Sequence, residues 1–250
     1  MEYGICHLSI VPIRNQPENG SEMVSQLLYG EHIKVLERRK TWSRIRVAYD
    51  SQEGWVHNNQ ISFISEDVFN ALVTSKNTSF SSNLVSHIRA ANGILKPIVL
   101  GSVVSSSTVL KHTFEGDKVS GELPKSSLIE TALMYTEAPY QWGGKTPFGI
   151  DAPGLTQMVY KINGYSLHRS AEAQSKQGVP LSFIEESEPG DLAFFDNKEG
   201  IIDHVGVILE DNYIIHAHGH VRIDRLDHTG IFNVDERLYS HQLRVIKKII

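Results

Sequence analysis

The chain of 250 residues is poor in cysteine, in long apolar runs and in excess charge. Its one cysteine, Cys6, excludes an intrachain disulfide and a thiolate metal cluster. No stretch approaches the roughly 18 consecutive apolar residues of a membrane-spanning helix. A net charge of −5 is far from the concentrated basic face that nucleic acids and anionic membranes require. We therefore expect a globular protein with no nucleic-acid partner and no membrane span.

The start of the chain bears on the compartment and on the role of the cysteine. Residues 1–6 lack the basic region and long apolar core of a secretory signal. This favours the cytoplasm, with the periplasm or cell envelope as the alternative if a signal has been trimmed. Cys6 lies in an apolar run that predicts a strand, where a buried hydrophobic side chain is the ordinary role. A displaced nucleophile is the remote alternative.

Pattern divides the chain into regions. Residues 1–65 alternate short β-type runs with turns, which is typical of a small β-barrel. Residues 66–77 predict a linking helix with Ser65 as its N-cap. Residues 78–122 carry β-type runs at 98–104 and 107–113, and a second, poorer barrel fits them without being required by the pattern.

Residues 123–250 change character, with helices preceding strands. The sequence from Ser127 to Glu130 has the form of a capping box that opens a first helix. Asn163 and Gly164 end a second helix, predicted over 153–161. A third is predicted over 171–177. Four strands follow, predicted at 192–195, 204–209, 213–217 and 221–225. Helices followed by an antiparallel meander indicate an α+β fold.

The segment from Tyr140 to Gly154, YQWGGKTPFGIDAPG, resembles the nucleophile segment of the NlpC family of papain-like cell-wall peptidases. In that family its last four residues read Asp-Cys-Ser-Gly; here Ala152 stands at the cysteine position and Pro153 at the serine position. The resemblance implies a papain-like NlpC domain over 123–250. Separately, the order of the segments 11–14, 30–31, 42–46 and 53–56 resembles a bacterial SH3-like domain, which we expect over 1–65. Resemblance to a two-SH3 subgroup of the family supports a second such domain over 78–122.

The same resemblance assigns the site. His204 matches the catalytic histidine, and His216 matches the residue that orients it. Substrate-binding positions are the following: Tyr140, Trp142, Asp151, Ser170 and Ala171. No cofactor is implied. Histidines alternate from His216 to His220, and alternate residues of a strand can both reach one zinc ion. No third ligand of known spacing accompanies them, so we expect no metal.

Strand parity supplies a geometric test of the histidine pair. Side chains alternate between the faces of a sheet, so a two-residue turn after residue 210 would put His204 and His216 on opposite faces. A three-residue loop over 210–212 pairs His216 with Gly206 instead and brings both imidazoles to one face. We predict that loop, or an equivalent bulge.

Three departures from the family pattern decide between functions. Ala152 cannot attack a peptide bond, Pro153 lacks one backbone N–H, and Ser170 replaces the aspartate of the diamino-acid-cleaving members. The first hypothesis is a non-cleaving relative that binds murein peptides such as L-Ala-γ-D-Glu-diamino acid, or a protein partner. The second is an active γ-D-glutamyl-L-diamino acid endopeptidase, similar to dipeptidyl-peptidase VI, represented by an inactivated variant. The third is an adaptor that uses only its SH3-like units.

Overall fold

The computed structural model describes residues 2–250. Met1, at which the predicted first domain begins, lies outside the described residues. Two compact units divide the chain. One comprises the described residues up to Glu122 together with Trp142–Thr146, and the other comprises Leu123–Gln141 and Pro147–Ile250. No helix within residues 2–250 is long and apolar enough to cross a membrane.

The first unit begins with an antiparallel sheet of seven strands in the order β3-β2-β6-β5-β4-β1-β7. Apolar side chains alternate with exposed ones, most clearly along the fifth strand, and the inward ones form a single core. A short 3₁₀ turn, Asn58–Gln60, precedes the last strand. The strands are β1 (Glu2–Cys6), β2 (Ile10–Arg14), β3 (Met23–Leu28), β4 (His32–Arg38), β5 (Trp42–Val47), β6 (Glu53–His57) and β7 (Ile61–Ile64).

Helix α1 (Glu66–Val73) follows, and the predicted cap is confirmed because the Ser65 side chain accepts a hydrogen bond from the Val68 N–H. The remaining strands of this unit form two small sheets, β10-β9-β11 and β12-β8. These strands are β8 (Ser79–Ser81), β9 (Val85–Ala90), β10 (Leu95–Val99), β11 (His112–Phe114) and β12 (Lys118–Ser120).

The strands predicted over 98–104 and 107–113 are wrong in extent. The first of them ends at Val99, and a 3₁₀ turn, Val104–Ser106, occupies the region between. Consecutive turns then run through the serines: the Ser107 N–H donates to Val104 and the Leu110 N–H donates to Ser107. Small hydroxyl side chains favour such local turns over a sheet ladder, so only the last few residues pair as a strand.

Three helices open the second unit: α2 (Ser126–Leu133), α3 (Ala152–Ile162) and α4 (Ala171–Gln174). The Asn163–Gly164 ending of α3 is confirmed, with Gly164 at positive φ. The capping box predicted from Ser127 is wrong. The first turn begins earlier because Lys125 is already helical, and its ammonium reaches Asp191 at 2.7 Å. Two short strands lie before α3, namely β13 (Lys145–Thr146), which belongs to the first unit, and β14 (Gly149–Ile150).

The rest of the second unit is an antiparallel sheet in the order β15-β21-β16-β17-β18-β19-β20. The final strand also pairs with β20, so six of the seven strands close into a ring. Helix α3 packs against β17 and β18. The strands are β15 (Val179–Leu181), β16 (Leu192–Asp196), β17 (Ile202–Ile208), β18 (Tyr213–His218), β19 (His220–Leu226), β20 (Gly230–Asn233) and β21 (Leu238–Lys248).

Candidate functional site

The amino terminus of α3 forms one side of the candidate site. The helix begins at Ala152, which is 2% exposed, and Pro153 occupies its first turn. Proline is tolerated there because the N–H that it lacks would have no partner within the helix. The Asp151 carboxylate caps the helix by accepting from the Gly154 N–H at 2.7 Å. A helix start is therefore present where the sequence predicts it, with a methyl group at its first position.

Asp151 is also held by a buried ion pair. Arg169 donates from both terminal nitrogens to the two carboxylate oxygens, at 2.9 and 2.7 Å. Such a bidentate pair fixes both partners in orientation. It ties the start of α3 to the residue immediately before Ser170, the N-cap of α4.

The connection from β17 to β18 has the length predicted from parity. Glu210–Asn212 form a one-turn loop in which Asp211 and Asn212 have positive φ. The register pairs Gly206 with His216. The prediction of a three-residue loop is confirmed, and His204 and His216 consequently lie on one face of the sheet.

The two histidines form a hydrogen-bonded relay that continues beyond the predicted pair. His204 Nε2 lies 2.8 Å from His216 Nδ1, and His216 Nε2 lies 3.0 Å from Asp224 Oδ2. Arg222 donates to both oxygens of the same carboxylate, at 2.6 and 2.9 Å. An ionised carboxylate only accepts hydrogen bonds, so the His216 proton sits on Nε2 and its Nδ1 accepts from His204 Nε2–H.

Burial and hydrogen bonding favour neutral imidazoles and an ionised carboxylate in this relay. Burial lowers the pKa of His204 well below its ordinary value, and the neighbouring histidines act in the same direction. Burial also lowers the pKa of His216, although the hydrogen bond to Asp224 opposes it. Burial resists ionisation of Asp224, but hydrogen bonds from His216 and Arg222 outweigh it and lower the pKa of that carboxyl to about 2. A neutral, oriented His204 is a base that can receive a proton.

His241 on β21 joins this cluster and was missed by sequence reasoning. Its ring stacks on that of His204, with centroids 3.9 Å apart and planes inclined by 19°. Asp224 was missed as well, although a signal for it exists. The tight turn at Gly219 pairs His216 with Arg222, and parity then puts Asp224 on the face of His216. For His241 no local signal exists, because its strand reaches the cluster only through closure of the ring.

The remaining predicted positions are spread over the two units. Tyr140 is partly exposed in the second unit, and burial raises the pKa of its hydroxyl, with Asp151 acting in the same direction. Ser170 caps α4 by accepting from the Ala173 N–H at 3.2 Å, and Ala171 is the buried first residue of that helix. Trp142 falls in the first unit, where its indole is 58% exposed and donates to Glu22 at 2.7 Å.

Cys6 is not a substitute nucleophile. It is fully buried in the core of the first unit, and its S–H donates to the Leu8 carbonyl at 3.3 Å. Burial raises the pKa of this thiol to about 12. A nucleophilic cysteine needs the opposite shift, toward the thiolate.

Comparison with known proteins agrees with this geometry. The profile of the NlpC/P60 family matches residues 137–236, which include the α3 start and both relay histidines. Residues 137–236 belong to the NlpC/P60 family. The profile of the bacterial dipeptidyl-peptidase SH3 domain matches residues 13–61, so the chain also carries an SH3 domain of that type.

Two curated relatives match this chain over most of its length. The chain is 25% identical over 238 residues to dipeptidyl-peptidase 6 of Lysinibacillus sphaericus, covering 81% of this chain and 82% of the relative. It is 28% identical over 249 residues to gamma-D-glutamyl-L-lysine dipeptidyl-peptidase of Bacillus subtilis, covering 90% and 80%. A crystal structure of an NlpC/P60 family protein from Bacillus cereus superposes with a TM-score of 0.82 at 17% identity over 99% of both chains, which establishes the common fold.

Proposed function

We propose that this chain binds short murein peptides in the groove of its NlpC/P60 domain and does not cleave them. One contrast carries the proposal: the relay from His204 to Asp224 is complete, while Ala152 begins the helix at which the family's cysteine resides. The proton acceptor is retained and the group that would give it a proton is absent.

Absence of cleavage follows from the magnitude of the loss. Removing the nucleophile of a comparable hydrolase triad, that of the serine protease subtilisin, lowers turnover by about a million-fold. That corresponds to roughly 8 kcal/mol of barrier. Pro153 removes one backbone donor near the same point, where a developing oxyanion requires N–H groups. Thr156 cannot replace the thiol, because its buried hydroxyl donates to Gln174 at 2.7 Å.

The ligand class is inferred from the names of the relatives and from the residues of the candidate site. Two relatives carry the name gamma-D-glutamyl-L-lysine dipeptidyl-peptidase, so a peptide with a γ-linked glutamate and a diamino acid is the natural candidate. We assign direct peptide contacts to Tyr140 and Ser170 of the second unit, where Asp151 and Ala171 are buried and can only support them. Ser170 keeps the helix cap but lacks a carboxylate, so we expect weaker attraction for a free ammonium group than an aspartate would give.

We further propose the domain scheme expected from the sequence: an SH3-like domain over 1–65, a link over 66–77, a second SH3-like domain over 78–122 and a papain-like domain over 123–250. Support for the second SH3-like domain comes from its strands and from a small core of Ile88, Ile98 and Val104, to which Tyr29 of the first SH3-like domain also belongs. The proposal holds in either compartment considered above, the cytoplasm or the cell envelope.

Isothermal titration calorimetry of the full chain with L-Ala-γ-D-Glu-L-Lys and its diaminopimelate analogue tests the binding. We expect a Kd in the range of about 0.01–1 mM, or roughly −4 to −7 kcal/mol. The α-linked isomer L-Ala-α-L-Glu-L-Lys is the matched control peptide and should bind more weakly. Absence of heat at millimolar γ-linked peptide contradicts the proposal and favours an adaptor that uses only its SH3-like units.

Substitution of Tyr140 locates the binding surface. Tyr140→Ala should weaken binding by about two- to tenfold, since an aromatic contact contributes ~0.5–1.5 kcal/mol beyond its buried area. Phe183→Ala is the matched control, because Phe183 is also an exposed aromatic side chain of the second unit but belongs to none of the proposed contacts. Equal effects of the two substitutions would contradict the assignment of Tyr140.

The second candidate function, an active peptidase represented by an inactivated variant, explains Ala152 directly. It explains Pro153 and Ser170 poorly, because neither change is needed to trap a substrate. The codon of the native gene at position 152 separates the two: an alanine codon supports natural loss, and a cysteine codon supports the variant.

A further inference from the structure

The histidine cluster holds more imidazoles than a catalytic relay needs. One ring nitrogen from each of His204, His216 and His241 lies within 4.8 Å of the other two. The sequence offered alternate histidines from His216 to His220 without a third ligand. The fold adds His204 to His216, and the ring-closing strand β21 brings His241. We propose that these three histidines form a binding site for a divalent transition-metal ion, in the class of Zn²⁺, Co²⁺ and Ni²⁺.

The protonation pattern leaves a lone pair for a metal on His216 and on His241, whereas His204 must first move its proton from Nε2 to Nδ1. Asp224 holds the His216 proton on Nε2, which leaves Nδ1 as a donor to a metal. Metal-binding histidines almost always give their second N–H to a carboxylate or carbonyl in this way. In His241, Nδ1 lies 2.8 Å from Ser240 Oγ, and that hydroxyl donates to the Ile231 carbonyl. The hydroxyl therefore accepts from Nδ1–H, and Nε2 of His241 remains available.

The electrostatic environment suits a cation bound by neutral ligands. The ring of His241 is partly buried against the rings of His204, His216 and His218. Behind His216, Arg222 lies between the carboxylates of Asp224 and Asp235, which leaves one net negative charge. Three imidazoles select borderline metals, whereas Mg²⁺ and Ca²⁺ prefer oxygen ligands.

Metal binding requires a defined rearrangement. A zinc–nitrogen bond of about 2.0–2.1 Å separates tetrahedral ligands by about 3.4 Å, so the 2.8 Å contact between His204 and His216 must open. A metal ion lies in the plane of each imidazole that binds it, and two stacked rings cannot share one ion. His241 must therefore turn about χ2, a soft torsion in histidine, which separates its stack on His204 and also releases its Nδ1 from Ser240. Exposed His218, with its ring 4.9 Å from that of His241, lies on the open side and is suited to the fourth position.

Cobalt titration of the metal-free full chain, in the absence of peptide, tests the site. We expect visible d–d absorption at one Co²⁺ per chain, with bands displaced by Zn²⁺ at micromolar concentration. His241→Gln should weaken Zn²⁺ binding by at least about tenfold, since loss of even an outer-shell partner costs about 10–100-fold. His228→Gln is the matched control for an exposed histidine and should change nothing.

A second measurement needs no substitution and so does not depend on a variant's folding. Zn²⁺ should shift the imidazole NMR signals of His204 and His241 together as their stack separates, while His228 stays unchanged. Lack of both the cobalt spectrum and these shifts at millimolar metal overturns the proposal, as does a His241→Gln affinity within about threefold of the unchanged chain. Peptide plays no part in these measurements, so their failure would leave the proposed peptide binding standing.

Discussion

The two sides of the candidate site have different character. On the sheet side, His204, His216 and Asp224 are buried and joined by hydrogen bonds, and Arg222 completes the network. On the helix side, Ala152 and Pro153 form the first turn of α3, and Ser170 caps α4. Under the proposed function, the sheet side keeps a network that can receive a proton, while the helix side has lost the sulfur and the carboxylate for a substrate amine.

This difference shows which changes the fold tolerates. Each helix-side substitution fits its local structure: alanine is an excellent helix former, proline suits a first turn, and serine is a good N-cap. The sheet-side network has no such freedom, because a buried polar group that loses its partner costs about 1–3 kcal/mol. The residues of the helix side can therefore change without loss of the fold.

The largest expected effect is restoration of cleavage by the double substitution Ala152→Cys with Pro153→Ser. If the relay is functional, turnover of L-Ala-γ-D-Glu-L-Lys should rise by up to about a million-fold over the unchanged chain. Adding His204→Ala to the double variant should abolish the gain. Product formation is read by mass spectrometry, and a double variant that folds but stays inactive would show decay beyond the two positions, with Ser170 as the first suspect.

A large effect on stability is expected from Arg169→Ala, which leaves the buried Asp151 carboxylate without its bidentate partner. Removing one member of a buried ion pair typically costs about 3–5 kcal/mol. Hydrogen exchange of the α3 amides measures this opening free energy. The matched control is Arg244→Ala, because Arg244 makes only an exposed, 3.7 Å pair with Asp196 and should change stability by less than about 0.5 kcal/mol. Equal effects would show that the Asp151 pair does not stabilise the helix start.

The histidine cluster should make stability depend on pH in one direction. His204, His216 and His241 have lowered pKa values in the folded chain, so the unfolded chain binds protons more readily below its ordinary histidine pKa of about 6.5. The free energy of unfolding should therefore fall as pH decreases from about 6.5 toward about 4, by up to ~1.4 kcal/mol per pH unit for each histidine.

Urea unfolding in EDTA, followed by NMR signals of Val205 and Val207, measures that slope without interference from metal. His241→Gln should reduce the slope by up to one histidine's share, while His228→Gln should leave it unchanged. Stability that is constant between pH 6.5 and 4 would contradict the neutral cluster.

The smallest effects are expected at Ser170, where one substitution removes the helix cap and another keeps the cap and adds a negative charge. Ser170→Ala should lower the stability of α4 by about 1 kcal/mol, because the hydrogen bond to the Ala173 N–H is lost. Ser170→Asp keeps the cap and should tighten binding of a peptide with a free ammonium by roughly fivefold, the effect of a ~1 kcal/mol ion pair. Calorimetry of both variants with the γ-linked peptide checks this, and a Ser170→Asp affinity no better than that of Ser170→Ala would contradict a role near the amine.

Sequence reasoning succeeded where the constraint was local. The Asp151 cap, the α3 ending at Asn163 and the loop at Glu210–Asn212 follow from capping rules and strand parity over short distances. It failed at Ser127, where the side chain of Lys125 engages Asp191 and the helix begins before the predicted cap. The place of His241 in the cluster could not be predicted, because ring closure brings together residues that are far apart in the chain. No local pattern encodes that pairing.

The proposed function is tested most directly by whether the unchanged chain cleaves the γ-linked peptide that it binds. The measurement is mass spectrometry of L-Ala-γ-D-Glu-L-Lys after prolonged incubation with the chain at a concentration at which calorimetry shows binding. We predict that the peptide remains bound and intact. Release of free L-Lys by the unchanged chain, lost in a His204→Ala variant, would contradict the account and show that the relay supports hydrolysis without the sulfur.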